Sequence, residues 1–244
     1  MNSKPQLPKI GFTIPVLNNF KGCVEAIASI KTEHQFEVYL EEQWRANKPL
    51  SQAWNDGFDR AVAGGCEYIF IINDDILFDQ DGVDNLVKEM DRLEKDNVVL
   101  VSSNNIIGEL SDPYHVLAHQ QPYVAPASVA DHPNYSCFMV KRNFMEKVGR
   151  FDENFKPAWF EDNDSHRRIE MLGYRAICTT ASSCVHFGGV STALMSNPSS
   201  EKSRQYYAMK WGGMPEGHGG KEAYDHPYNN PELTAKDWIP NYAG

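Results

Sequence analysis

Five consecutive apolar residues, Tyr68-Ile69-Phe70-Ile71-Ile72, run directly into Asn73-Asp74-Asp75, and apolar residues resume at Ile76-Leu77-Phe78. A short run this rich in β-branched and aromatic side chains predicts a strand buried on both faces, the state of a central strand in a parallel sheet. The polar end is as constraining as the strand. Adjacent carboxylates repel one another and resist desolvation, and open α/β sheets bind their ligands beyond the carboxyl ends of strands. A divalent cation such as Mg²⁺ or Mn²⁺ would balance the pair and touch substrate phosphates. A plain strand-end turn is the other reading, because Asn and Asp are turn formers.

The flanking segments supply the rest of such a sheet. Lys9 to Val16 predicts a first strand, with Pro15 near its end, where a missing N–H matters least. Asn18-Asn19 marks a turn, after which Phe20, Cys23, Val24, Ile27 and Ile30 follow helical spacing. Residues 36–42 alternate as a second strand. Leu50, Ala53, Trp54, Gly57, Phe58, Ala61 and Val62 mark a second helix, closed by Gly64-Gly65. Beyond the central strand, Asp79 and Asp81 suit a helix N-terminus, and Val83, Leu86, Val87, Met90 and Leu93 form an amphipathic stripe. A strand at 98–102 follows. The order β-α-β-α-β-α-β implies an α/β fold, a Rossmann-like and mostly parallel central sheet flanked by helices.

The pattern then changes. Residues 105–134 carry several prolines and three histidines without a clear period, and loops of that length are usually functional or mobile. Strands are expected at 136–140, 175–179 and 184–186, with a short helix at 142–148 and another through Ile169 and Leu172, stopped by Gly173. The tail from Ser196, rich in Gly, Pro, Tyr and Trp, reads as loops and a short helix wrapping the body.

Composition narrows the function classes. A net charge of −10 over 244 residues argues against non-specific binding of nucleic acid or anionic membranes. No apolar run approaches the roughly 20 residues of a transmembrane helix. The polar, Pro-containing stretch Met1 to Lys9 does not read as a targeting peptide, so a cytoplasmic location is expected. Five scattered cysteines without a CxxC pair read as reduced core residues.

Two further constellations carry chemistry. Glu161-Asp162-Asn163-Asp164 reads either as acidic capping of a helix start or, beside Trp159-Phe160, as a general base next to a sugar-stacking platform, its pKa raised by desolvation. His186, before Phe187-Gly188-Gly189, reads either as a packed histidine or as a metal ligand whose glycines admit a close approach. GxxxxGK[ST], a GxGxxG after the first strand, HExxH and GxSxG do not occur.

Together these segments resemble the family 2 glycosyltransferases, which have the GT-A fold. Ile14-Pro15-Val16-Leu17-Asn18-Asn19 is similar to that family's first strand and turn. Leu50 to Ala61, with Asn55 and Gly57, resembles the helix carrying Asn-x-Gly, and Asn73-Asp74-Asp75 stands at the DXD-type metal motif. Val148-Gly149-Arg150-Phe151-Asp152-Glu153 resembles VGxFDE. Phe160 to Asp164, then Arg167 or Arg168 and Gly173-Tyr174, resembles the EDxD…R…GY block, and Val185-His186 with Gly188-Gly189 and Ser191 the late His segment. The motifs run in family order over residues 9–191.

The resemblance implies a single GT-A-like domain over 1–195, with a nucleotide-binding half to about residue 104 and an acceptor half at 105–195, followed by an extension at 196–244. It implies inverting transfer of a sugar from a UDP-, GDP- or dTDP-sugar to a glycan or other hydroxyl acceptor. Asp75 would bind Mn²⁺ or Mg²⁺, with Asp74 near the metal or ribose and His186 as a further ligand. Asp162 would be the general base and Glu161 would position the acceptor. Pro15 and Asn18 would lie against the nucleotide, and Asn55 belongs to the donor-side helix. Where the family's second strand ends in a base-reading Asp, this chain has Glu42, followed by Gln43 and by Trp44, a candidate to stack on the base. Tyr206-Tyr207 and Lys210-Trp211-Gly212-Gly213 lie outside the family core and read as an acceptor wall or lid, or as packing. A sugar-phosphate nucleotidyltransferase and an inactive nucleotide-sugar- or glycan-binding module are the alternatives. The first usually carries a basic glycine-rich loop that residues 12–20 lack, and the second has no need of Asp75, Asp162 and His186 together.

Overall fold

The computed structural model describes residues 6–43, 48–106, 127–193 and 199–211. Its described strands form one eight-stranded sheet. β1 (Ile10–Val16) pairs in parallel with β2 (Phe36–Glu42) and with β3 (Tyr68–Ile72). All five residues of β3 are buried. Tyr68, Phe70 and Ile72 enter one core, while Ile69 and Ile71 enter the other, the two-faced burial that its unbroken apolar run predicts.

Helices cover both faces. α1 (Phe20–Ser29) and α3 (Gly82–Leu93) pack on the first core through Cys23, Ile27 and the stripe Val83, Leu86, Val87, Met90 and Leu93. α2 (Leu50–Ala63), α4 (Phe144–Val148) and α5 (Glu161–Met171) pack on the second through Trp54, Phe58, Phe144, Val148 and Ile169. Gly57 sets the closeness of α2 to β1: a Cβ there would lie 2.1 Å from Thr13 Cγ2.

Two features depart from the uniform β-α-β pattern. β7 (Cys137–Lys141) inserts antiparallel between β3 and β5 (Val98–Ile106). The apolar residues after Asp75 form a short strand, β4 (Ile76–Phe78), antiparallel to the end of β8 (Arg175–His186). The expected strands at 175–179 and 184–186 are thus one strand. Its N-terminal part runs parallel to β5, its pairing shifts register beside Ser103/Asn104, and β6 (Val129–Ala130) lies against it. Along the sheet, four strand spacings separate β3 from β4, roughly 19 Å if flat. The turn between them can span at most about 14 Å. The sheet therefore curls, bringing the end of β8 back toward the end of β3. That curl sets His186 beside the Asp pair.

In the C-terminal region, α6 (Val190–Ala193) follows β8, and α7 (Glu201–Trp211) packs Tyr207 and Trp211 against Phe155 as a third small core. The tail motif is packing up to Trp211, with Tyr207, Lys210 and Trp211 all buried. Trp44, Gly212 and Gly213 lie outside the described residues, as does most of the irregular segment at 105–134. All five cysteines are free, and four of them are buried. Among the described residues no helix is long and apolar enough to cross a membrane.

Candidate active site

β1 pairs with β3 only over Ile10–Thr13 but continues beside β2 to Val16. Pro15 therefore lies past the β3 ladder, where the strand ends part and a crevice opens. A cleft of about 330 Å³ occupies this end of the sheet, lined by Pro15, Leu17, Asp74, Asp75, Glu161 and His186, with Trp159 and Ser191 also on its wall.

The acidic turn is built by its neighbours. The Asn73 N–H donates to Ser136 O at 2.8 Å. Asn19 caps α1 by accepting the Gly22 N–H at 3.1 Å, and its Nδ2 donates to Asp74 O at 3.0 Å. Asp74 is 3% exposed. Its Oδ1 accepts the Ser191 hydroxyl at 2.8 Å, and among the described residues its buried Oδ2 has no partner. Burial raises this carboxyl above the ordinary Asp value; the Ser191 hydrogen bond opposes that rise, and the Asp75 charge adds to it. Because Ile76 pairs with His186 across the β4–β8 ladder, His186 Nε2 comes within 3.2 Å of Asp75 Oδ1 and 3.4 Å of Asn73 Nδ2.

Among the described residues no group of three His, Cys, Asp or Glu side chains forms a metal cage by itself. What is present still fits a hard cation: a carboxylate–imidazole pair, with an orphaned carboxylate oxygen in the same cleft. Mg²⁺-type ions characteristically use one or two carboxylates and take their remaining ligands from substrate phosphates and water. Asp74, Asp75 and His186 are thus brought together as the sequence suggests.

Glu161 opens α5 and is 4% exposed, with Oε2 lacking a partner among the described residues. Burial, reinforced by the neighbouring Asp162 charge, raises its carboxyl well above the ordinary range. Asp162 is half-buried and outside the cleft lining, and its Oδ1 accepts the Asn163 N–H at 2.8 Å. Burial raises its carboxyl too, against that hydrogen bond. The chain enters α5 through Trp159 and Phe160, at φ 74° and 70°. Such left-handed conformations cost of order 1–3 kcal/mol each in bulky residues. They split the aromatic pair: Trp159 lines the cleft, while Phe160 packs on Tyr207 at 5.4 Å.

Other expected site residues lie elsewhere. Asn18 is exposed, and its neighbour Asn19 meets the acidic turn. Asn55 is fully buried; its Nδ2 donates to Phe151 O at 2.8 Å and Glu153 Oε1 at 2.8 Å, while its Oδ1 accepts the Phe151 N–H at 3.0 Å. It ties α2 to the Phe151–Glu153 loop. Glu42 is exposed, whereas Glu41, pointing to the other face of β2, is buried against Lys48 at 3.0 Å and Arg60 at 2.7 Å. Lys48 also meets Asp56 at 2.8 Å. Lys48 and Gln43, not Glu42, reach the cleft. Ser191 was legible only as part of the late His segment, and nothing local signals its contact with Asp74.

The sequence matches no protein-family model and no curated protein. Among solved structures, the chain is similar to one described as the crystal structure of GalNAc-T7 with UDP, GalNAc and Mn²⁺, at a TM-score of 0.53 and 10% identity. The match covers 75% of this chain and 44% of the other, so this chain spans less than half of that structure's length. At that identity the likeness establishes the fold, which is GT-A-like.

Proposed function

We propose that this chain is a metal-assisted glycosyltransferase that moves a sugar from a nucleotide-sugar to an acceptor hydroxyl with inversion. One observation carries the reading: the Asp74–Asp75–His186 group and the buried Glu161 carboxyl, from separate segments of the chain, line the same cleft at the open end of a GT-A-like sheet. Asp75 and His186 would hold Mn²⁺ or Mg²⁺, with the open oxygen of Asp74 beside them. A bound cation there would neutralise charge developing on the departing diphosphate. Pro15 and Leu17 give the nucleotide an apolar floor, and Trp159 offers the sugar a flat face.

The proton of the acceptor hydroxyl passes to the carboxyl pair that opens α5. Glu161 is the member that faces the cleft, and burial, by raising its carboxyl above the ordinary range, makes its carboxylate a stronger base than an ordinary one. We therefore assign it the proton, leaving Asp162 to tune it through its charge. UDP is the first nucleotide to try, because the structure described for GalNAc-T7 contains UDP and Mn²⁺. The domain halves at 1–104 and 105–195 belong to this proposal, as does the glycan or other hydroxyl acceptor.

Incubation with a panel of UDP-, GDP- and dTDP-sugars and Mn²⁺ tests the reading. Donor hydrolysis or transfer supports it, pyrophosphate-dependent turnover indicates a nucleotidyltransferase, and binding without turnover an inactive module. Within it, Glu161→Gln is expected to lower turnover more than Asp162→Asn. The reverse order would return the base role to Asp162.

A further inference from the structure

The one buried lysine of α7 has no part in the cleft chemistry. Lys210 is 2% exposed, and its Nζ stands 2.6 Å from Asp152 Oδ2 and 2.6 Å from Asp164 Oδ1. The same two carboxylates take other bonds from α7: Tyr206 OH donates to Asp152 Oδ2 at 2.8 Å, and Trp211 Nε1 to Asp164 Oδ1 at 3.0 Å. Arg168 holds the remaining Asp164 oxygen at 3.1 Å and reaches Val148 O at 2.8 Å. Burial by itself would raise the Asp152 carboxyl, but the Lys210 ammonium overrides it and holds that carboxyl below its ordinary value.

These bonds converge on one strained stretch. Ser203, fully buried on α7, donates to Ala158 O at 2.9 Å and Lys156 O at 3.2 Å. Phe160 leans on Tyr207. Asp164, within the first turn of α5, is gripped by Lys210 and Trp211. The left-handed residues Trp159 and Phe160 lie between these anchor points, and such conformations persist only where surroundings over-determine them. Glu161 follows directly.

We propose that α7 is a clamp that positions the cleft carboxyl, with Lys210 and Ser203 as positioning residues that hold the Ala158–Asp164 stretch so that Glu161 and Trp159 reach the cleft. The proposal rests on the transferase reading for its consequence on turnover, but not for its structural content. None of these bonds reaches Asp74, Asp75 or His186; the acidic turn is held instead by Asn19, Ser136 and Ser191.

The test compares the full chain with Ser203→Ala and Lys210→Met by amide hydrogen exchange, Mn²⁺–UDP calorimetry and donor turnover. Loss of exchange protection over the first bonded amides of α5, residues 164–168, with β1 and β3 still protected, is expected in both variants. UDP affinity should stay within about twofold while turnover falls roughly tenfold or more, since small misplacements of a reacting group are costly. Should Lys210→Met unfold, Ser203→Ala alone decides, because it removes one hydroxyl and no charge. Unchanged protection at 164–168, or turnover and UDP affinity falling in parallel, would overturn the clamp. If the wild-type chain turns over no donor, the exchange result still decides the clamp, and only the transferase reading fails.

Discussion

Asp79 gives a quantitative prediction about stability. It sits between β4 and α3 with Oδ2 accepting the Ser183 N–H at 3.1 Å, while among the described residues its buried Oδ1 has no partner. Burial raises its carboxyl from 3.8 to about 6, opposed by the Ser183 N–H and reinforced by the Asp81 charge. The folded chain therefore binds this proton more tightly than the unfolded chain. Above about pH 6 the carboxylate is charged in both states and its full cost falls on the fold; the cost fades as pH drops toward 3.8. At 1.36 kcal/mol per pH unit the ceiling is about 3 kcal/mol, and screening at a partly exposed site reduces this to about 1–2 kcal/mol. Asp79→Asn keeps an acceptor for Ser183 and removes the charge. It should be more stable than wild type at pH 7.5 by about 1–2 kcal/mol, raising Tm by about 2–8 °C for a chain of this size. The advantage should vanish near pH 4. Thermal or urea melts of both proteins at several pH values measure it. A variant less stable at pH 7.5, or an advantage that does not change with pH, would refute the account of this turn.

Two other substitutions separate scaffold from site. Gly57→Ala gains up to about 1 kcal/mol in helix propensity but places a Cβ 2.1 Å from Thr13 Cγ2, where overpacking costs about 1–3 kcal/mol; a lower Tm is expected, and a higher one would mean that α2 is not seated so closely on β1. Asn55→Ala strips the Phe151 N–H and C=O of their buried partners and should cost about 2–4 kcal/mol in a urea melt with UDP affinity unchanged; a large affinity loss at normal stability would make Asn55 a ligand after all.

Much of the sheet is legible in the sequence because its signals are local. β3 declares burial on both faces, and α3 declares its core stripe. The features that escape depend on pairing between distant segments. Nothing in Cys137–Lys141 says that it runs antiparallel between β3 and β5, and a three-residue strand such as β4 is too short to show a period. Single-residue offsets account for the site differences. On β2 a period of two sends Glu41 inward and Glu42 outward, and at the first turn it is Asn19, not Asn18, that bonds the acidic turn. The pairing of Asp75 with His186, over a hundred residues apart, is legible only through the ordered series of motifs. α7 is the opposite case: its aromatic residues are plain in the sequence, but their partners Asp152 and Asp164 are visible only in the fold.

Metal-dependent nucleotide binding at Asp75 is read out by calorimetric titration of UDP, GDP and dTDP into the wild-type chain, Asp75→Ala and Glu161→Gln, with Mn²⁺ and with EDTA. One of the three nucleotides is expected to bind the wild type in a Mn²⁺-dependent way, and EDTA to abolish the binding. Binding should be at least about tenfold weaker in Asp75→Ala, which loses a direct metal ligand, and nearly unchanged in Glu161→Gln. No binding of any of the three nucleotides, or binding that ignores both EDTA and Asp75→Ala, would contradict metal-dependent binding at Asp75.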